Sequence, residues 1–387
     1  MKKIFALLTA ILIGFCFCAD VYAIPNEDSD IPSVSDSQPS VSAECAVLIN
    51  AEDGSVYLEK AADRRMGPAS TTKLMTAIVA LDHLSPDTLI TVPAEAVGVE
   101  GSSVYLIEGE KLTLYQLLCA LLLSSANDAA VAIALSVSDS VDDFSQLMNE
   151  KARSMGLTDT NFVNPHGLYH EEHYTTAREL ALIAREALGY KEIAEIVKMK
   201  KTTVPYDGVA DQRLLVNHNR LLSSYEGALG MKTGYTKKTG RTLVSAAEKE
   251  GLTLIAVTLN APDDWRDHRA MLDYGFNSYK KVTLYETGEF CYELPLSNGE
   301  RETVRLTNTE PLCVTVRKSE ESYKITVEGC GHFLLAPVKK GEPFGAVLVE
   351  YGETVASASL EIAESVKGKT KPKISILERI KNFFSLD

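Results

Sequence analysis

Two neighbouring segments of this chain are apolar on nearly every side, Leu112 to Leu123 and Ala129 to Val137. A helix with no polar face has nothing to offer water, so both segments belong in the middle of a domain. Between them Ser124-Ser125-Ala126-Asn127-Asp128 is small and polar. A loop buried there would strand its backbone groups without partners, so the interruption is expected to face a cleft.

The elements around this pair set the fold class. Ala46 to Asn50 and Val56 to Glu59 are apolar runs separated by Glu52-Asp53-Gly54-Ser55, a hairpin signal. A helix is expected from about Ser70, because Met75, Ile78, Val79 and Leu81 fall at helical spacing. Asp142 to Met155 reads as an amphipathic helix stopped by Gly156, and Thr176-Ala177-Arg178-Glu179 as a capping box for a helix ending at Gly189. Ala228 to Thr236, Thr242 to Ala247 and Leu252 to Leu259 then read as three antiparallel strands, followed by a helix over Asp264 to Phe276. The N-terminal hairpin needs sheet partners, and these strands supply them. The expectation for 43–280 is therefore an α+β domain: a five-stranded antiparallel sheet built from both ends of the segment, flanking helices, and an inserted helical subdomain.

Outside that domain the character of the chain changes. Lys2 and Lys3 precede an apolar run from Ile4 to Cys18 and a small-residue exit at Val21-Tyr22-Ala23, so 1–23 reads as an export signal cleaved after Ala23. Residues 24–42, rich in Ser, Pro, Asp and Glu, read as a flexible spacer. Losing Lys2, Lys3 and Asp20 with the signal takes the formal charge from −14 to −15, a balance that repels nucleic acid. Five cysteines remain after cleavage, and an odd number cannot pair completely. From 283 to 362 short alternating runs such as Tyr323 to Val327 indicate a separate all-β domain. A basic linker at 363–373 leads to 374–387, where Ile376, Leu377, Ile380, Phe383 and Phe384 share one helical face. That face suits a membrane interface, with the lysines of the linker near anionic headgroups.

Three motifs carry the chemistry. In Ser70-Thr71-Thr72-Lys73 the lysine lies one helical turn from the serine, close enough to serve as its base. It can accept a proton only with a lowered pKa, which burial and a nearby cation such as Lys232 would provide. In Ser125-Ala126-Asn127 the hydroxyl can pass a proton between Lys73 and a leaving amine, and the amide can hold Lys73 and a substrate carbonyl. In Lys232-Thr233-Gly234 the first two residues can bind a substrate carboxylate, and Gly234 lets a substrate backbone pair against the strand edge.

Taken together these motifs resemble the serine penicillin-recognising family of penicillin-binding proteins and β-lactamases. The resemblance is closest to low-molecular-mass penicillin-binding proteins acting as D-alanyl-D-alanine carboxypeptidases. It runs through Pro68 to Thr76, Asn127 to Ala130, Asn164-Pro165-His166-Gly167-Leu168, Thr176 to Leu180 and Gly230 to Thr236. It implies a β-lactamase/transpeptidase-like fold in which Ser70 is acylated, Lys73 is the base, and Ser125 and Asn127 complete proton transfer and positioning. Lys232 and Thr233 would bind the terminal carboxylate, and the backbone N–H groups of Ser70 and Tyr235 would form the oxyanion hole. An arginine after the last core strand often helps hold the carboxylate in such relatives; Arg266 and Arg269 compete for that role here. His166, His170 and His173 have a spacing that zinc could use, but His166 falls within the family-like turn and no further ligands are evident, so no metal and no cofactor is expected.

The implied reaction removes the terminal D-alanine from peptidoglycan stem pentapeptides outside the cytoplasm, at the outer face of the membrane, with β-lactams as covalent inhibitors. Two other functions share the motif set. A serine β-lactamase would need a glutamate over the site, whereas Glu179 sits in a helix start. A non-catalytic β-lactam-binding sensor or scaffold would not need intact catalytic groups.

Overall fold

A computed structural model of the chain describes residues 21–22, 37–206, 212–320, 322–352 and 354–369. The expected export signal apart from Val21–Tyr22, spacer residues 24–36, the end of the linker at 370–373 and the helix expected at 374–387 lie outside the described residues. Val21–Tyr22 form a two-residue strand paired with Lys324 and Ile325. The chain divides into two compact units, one spanning Asp30–Lys280 and the other running from Lys281 with the first residues of the chain.

The first unit is built on an antiparallel sheet of β1 (Cys45–Asn50), β2 (Val56–Lys60), β3 (Ala228–Gly230), β4 (Thr233–Thr236), β5 (Gly240–Lys249) and β6 (Leu252–Leu259). Its order is β2-β1-β6-β5-β3, with β4 also pairing β5. The run expected as a single strand from Ala228 to Thr236 is therefore two, broken at Met231, whose φ of 98° no extended strand adopts. Both pieces still pair β5, so the sheet has five positions with a divided edge.

The central strands are buried on both faces, and strand periodicity divides their side chains between two cores. Val47, Ile49, Ile255 and Val257 join the core shared with the helices, while Ala46, Leu48, Leu254 and Ala256 pack with Met271 and Leu272 of helix α7 (Asp264–Ser278). The helical side holds α1 (Lys73–His83), α2 (Leu114–Leu123), α3 (Asn127–Val137), α4 (Val141–Ser154), α5 (Ala177–Gly189) and α6 (Lys191–Lys198). The two all-apolar segments are α2 and α3; Leu117, Leu118, Leu121, Ala130 and Ile133 are fully buried.

Two local details depart from the sequence reading. The serine motif begins not in α1 but in a 3₁₀ turn, Ala69–Thr72, that leads into it. Thr176 does cap α5 by accepting from the Glu179 N–H at 3.0 Å, but the Glu179 carboxylate does not return to close the box. It instead accepts from the backbone N–H groups of Thr158 and Asp159 at 2.8 and 2.9 Å, and from the Thr160 hydroxyl, which fixes the loop before the Asn164–Leu168 turn. The reciprocal box occurs at α2, between Thr113 and Gln116.

The second unit is all-β. Its main sheet contains Cys291–Ser297, Thr303–Asn308, Lys324–Glu328, Pro343–Tyr351 and Thr354–Ile362 around a core of Leu294, Val304, Leu306, Val347, Val349 and Leu360. Among the described residues Cys45, Cys119, Cys291, Cys313 and Cys330 are free thiols; Cys45 and Cys119 are buried.

The Glu179 clamp gives a direct test. Replacing Glu179 by Ala removes the acceptor of two partly buried loop N–H groups, each hydrogen bond worth about 1 kcal/mol. Glu179→Ala is expected to lower the thermal midpoint clearly, whereas Glu179→Gln, which keeps one carbonyl acceptor, loses less.

Candidate active site

The first motif reaches the site through a strained turn. Ala69 has a φ of 49°, a conformation that disfavours a side chain, and it swings the next residue, Ser70, to the start of the helical path. Two contacts hold that turn from outside. The Thr242 hydroxyl donates to the Pro68 carbonyl at 3.0 Å, and Gly167 lies flat against the Ala69 carbonyl. A Cβ on Gly167 would stand 1.9 Å from the Ala69 oxygen, and its φ of +86° disfavours a side chain independently.

One turn after Ser70 the Lys73 side chain is completely buried. Its Nζ lies 3.1 Å from Ser70 Oγ, 2.7 Å from Asn127 Oδ1 and 2.6 Å from the His166 carbonyl. The amide oxygen and the carbonyl can only accept, so they take two of the amine's hydrogens. The third direction points at the serine. In the ammonium form it donates to Ser70; in the neutral form it is a lone pair aimed at the hydroxyl proton. Burial, together with the Lys232 cation, pushes the Lys73 pKa well below the ordinary lysine value, partly opposed by Asp128. The site therefore favours the form that can take the serine's proton.

The second motif sits at the junction of α2 and α3. Ser125 has a φ of 58° and is 5% exposed. Asn127 opens α3 and is held at both ends, its Nδ2 donating to the Glu100 carbonyl at 2.6 Å and its backbone N–H to Ser102 at 2.7 Å. Asp128, which the sequence reading left without a role, anchors the facing loop. Its carboxylate accepts from the Ser103 hydroxyl and from the backbone N–H groups of Val104 and Leu106.

The third motif begins at the break in the sheet edge. Lys232 exchanges both backbone hydrogen bonds with Val244, at 3.1 and 2.9 Å. In an antiparallel ladder such pairs alternate, so Thr233 and Tyr235 turn their backbone groups away from β5 toward the open edge. This presents the Tyr235 N–H as an unpaired donor of the kind an oxyanion hole requires. Gly234 has a further reason to be glycine beyond admitting a substrate strand. A Cβ there would fall 2.3 Å from Thr242 Oγ1 and 3.0 Å from Ser70 N, so its absence brings β4 against the nucleophile turn. The Lys232 side chain is 1% exposed and donates to the Thr233 carbonyl at 2.9 Å; burial pushes its pKa down to about 7.

Ser70, Ser125, Thr233, Gly234 and Tyr235 line one cleft of about 330 Å³, while Lys73, Asn127 and Lys232 are buried close by them. Neither arginine nominated from the sequence lines it. Arg266 points to Asp263 and Asp267, and Arg269 is absent from the lining. The arginines that do line it are Arg220 and Arg241, the latter with Nη2 3.0 Å from the buried Asp264 carboxylate. Arg241 was missed because its place on β5, opposite Tyr235, depends on sheet register, which motif spacing does not show.

The three loop histidines have structural work. His166, His170 and His173 each accept a backbone N–H through Nδ1, from Leu168, Glu172 and Val163. Accepting there leaves the His173 proton on Nε2, which donates to Thr72 Oγ1 at 2.8 Å. Burial, with neighbouring histidines and Lys73 adding to it, pushes His173 down to about 3, so it stays neutral and fixes the loop against the nucleophile turn.

Comparison with known proteins gives the relatives of the chain. A family model described as D-alanyl-D-alanine carboxypeptidase matches residues 33–263, and one described as the penicillin-binding protein 5 C-terminal domain matches 279–367. The chain is 32% identical to the D-alanyl-D-alanine carboxypeptidase DacF of Bacillus subtilis, over 84% of this chain and 86% of that one. Penicillin-binding protein 5 from Haemophilus influenzae superposes with a TM-score of 0.69 at 27% identity, covering 86% of this chain and 99% of that one. A Streptococcus pneumoniae protein described as a peptidoglycan synthesis regulatory factor, PBP3, shares the fold with a TM-score of 0.73 at 23% identity, over 85% and 100% of the two chains.

The Gly167 contact predicts a specific failure. Gly167→Ala must displace the Ala69 carbonyl and with it Ser70. A fluorescent penicillin is expected to label this variant at least tenfold more slowly than the parent, in protein that still unfolds cooperatively.

Proposed function

The chain belongs to the D-alanyl-D-alanine carboxypeptidase family, and from that premise we propose a route by which its own residues carry out the reaction. The enzyme is a serine hydrolase that releases D-alanine from peptides ending in D-Ala-D-Ala, and its fold is that of penicillin-binding proteins. The observation that carries the route is the Lys73 amine, buried, held by two acceptors and aimed at Ser70 Oγ.

Neutral Lys73 takes the Ser70 proton as Oγ attacks the carbonyl of the penultimate D-alanine. The oxygen that becomes negative is met by the N–H groups of Ser70 and Tyr235. Ser125 passes the proton from Lys73 to the amine of the departing D-alanine, and the C–N bond breaks. Water then adds to the acyl carbon, and the C–Oγ bond breaks as Ser70 regains its proton. Thr233 and the Lys232 cation hold the terminal carboxylate, with Arg241 as the arginine of that subsite. A β-lactam enters the same sequence and remains on Ser70 as an ester.

The location is proposed from the sequence. Residues 1–23 direct export, and the apolar face of 374–387, preceded by the basic linker, holds the enzyme at the outer face of the cytoplasmic membrane. Among the described residues no helix is long and apolar enough to cross a membrane. The stretch 374–387 has 14 residues, short for a helix that spans a bilayer and long enough for one lying in its surface.

Incubating the mature protein with an acyl-D-Ala-D-Ala peptide is expected to release D-alanine, and Ser70→Ala to abolish both release and penicillin labelling. Labelling without release would leave a penicillin-binding sensor; rapid turnover of penicillin would make a β-lactamase. The two lysines set the pH profile. Activity falls on the acid side as Lys73 acquires a proton, and on the alkaline side as Lys232 loses its own near 7 in the free enzyme. Lys232→Gln is expected to flatten the alkaline limb and lower kcat/KM roughly 10- to 100-fold, the value of a charge-assisted hydrogen bond.

The anchor has its own measurement. Mature protein should sediment with vesicles containing anionic lipid, and protein truncated at 373 should remain in the supernatant with unchanged activity on a soluble peptide.

A further inference from the structure

One ionisable side chain in the cleft has no part in the route above. His218 lines the same 330 Å³ cleft as Ser70 and Thr233, on the turn between the strand Gln212–Val216 and the short helix Leu221–Ser224. Two asparagines fix that turn. Asn217 donates through Nδ2 to the Val197 and Met199 carbonyls, both at 3.0 Å, and accepts from the Asn219 N–H at 2.9 Å. Asn219 in turn accepts from the Leu221 N–H at 3.0 Å. His218 therefore projects from a rigid mount between two pinned residues, with its ring partly exposed in the cleft.

Its electrostatic surroundings are cationic. Arg220 follows on the same turn, with its guanidinium 5.9 Å over the Trp265 ring. Arg241 and Tyr235 line the cleft from the sheet, and Asp264 from α7, its carboxylate already engaged by Arg241. Lys232 lies within electrostatic range behind Thr233, and burial together with that cation holds the imidazole below the ordinary histidine pKa. With Arg241 paired to Asp264, Arg220 and Lys232 leave this end of the cleft net cationic and suited to an anion.

We propose that His218 is a second, proton-dependent cation for the substrate's terminal carboxylate, so that capture of the substrate takes up a proton. The inference rests on the reading that this end of the cleft binds the carboxylate. Before binding, His218 is neutral at neutral pH. A carboxylate placed beside Thr233 offsets the Lys232 charge and favours imidazolium, which donates to it. By linkage, a ligand that draws a proton onto the protein binds more tightly as pH falls, until the free protein carries that proton already. Lys232 titrates in the same direction near 7, so the share of His218 is read at pH 6, where Lys232 is already charged in the free protein.

The test uses mature protein carrying Ser70→Ala, which binds without turnover, and an acyl-D-Ala-D-Ala peptide beside its C-terminal amide. Titration calorimetry at pH 6 in buffers of different ionisation enthalpy reads proton uptake directly. The parent is expected to take up a substantial fraction of one proton with the acid and none with the amide. His218→Gln should lose that uptake and bind the acid roughly three- to tenfold more weakly, while His218→Arg should lose the uptake and keep the affinity. Equal proton uptake in the parent and both variants would overturn the inference while leaving the carboxylate reading intact. Equal affinity of acid and amide in the parent would overturn the carboxylate reading itself.

Discussion

Two lysine side chains buried beside one another govern the chemistry of this cleft. Lys73 and Lys232 are among the largest fully buried side chains of the protein. Burying one ammonium strongly favours its neutral form, and a second cation nearby sharpens the preference. Lys73 bears both effects and Lys232 mainly the first. The result divides labour between chemically identical groups. Lys73, aimed at the serine and flanked by two acceptors, is the one suited to act as base. Lys232 is left to hold charge where an incoming carboxylate will restore it.

Holding these groups requires strained backbone, and the strain sits beside the motifs. Ala69, Ser125 and Met231 all have positive φ without being glycine. Each position costs about 1–3 kcal/mol and persists only where the surroundings over-determine it. At Ala69 the determinants are visible: Gly167 against its carbonyl, Thr242 on Pro68, and His173 on Thr72. Ser125 is fixed between two helices whose apolar burial leaves no alternative path. Met231 ends one edge strand and starts another, which turns Lys232 inward while β4 continues outward. Sheet, helices and loop thus each deliver one strained residue to the same cleft.

Much of this was legible in the sequence. The all-apolar pair around Ser124–Asp128 required a buried helical centre with a cleft at the junction, and α2 and α3 supply it. The sheet followed because the hairpin and the three later runs needed one another. What escaped were features that depend on three-dimensional proximity rather than local pattern. The break at Met231 is invisible to apolar periodicity, since both flanking strands continue it. Arg266 and Arg269 were nominated by position after the last strand, whereas the cleft takes Arg241, chosen by register opposite Tyr235. Asp128 and the His166 carbonyl act through loops distant in sequence, and a backbone oxygen leaves no residue-type signal at all.

The same geometry bears on how the acyl-enzyme is hydrolysed. An enzyme that turns over β-lactams rapidly needs a free carboxylate poised over the ester. Glu179 accepts from two backbone N–H groups and a hydroxyl in the loop at 158–160, which commits it to holding that loop. Asp128 is occupied by the loop at 103–106, and Asp264, which lines the cleft, is held by Arg241. The carboxylates nearest the chemistry are thus committed to structure. A peptide product leaves room for water once its D-alanine has gone, whereas an opened β-lactam keeps its leaving group attached. In this arrangement a lysine rather than a carboxylate is the base held against Ser70.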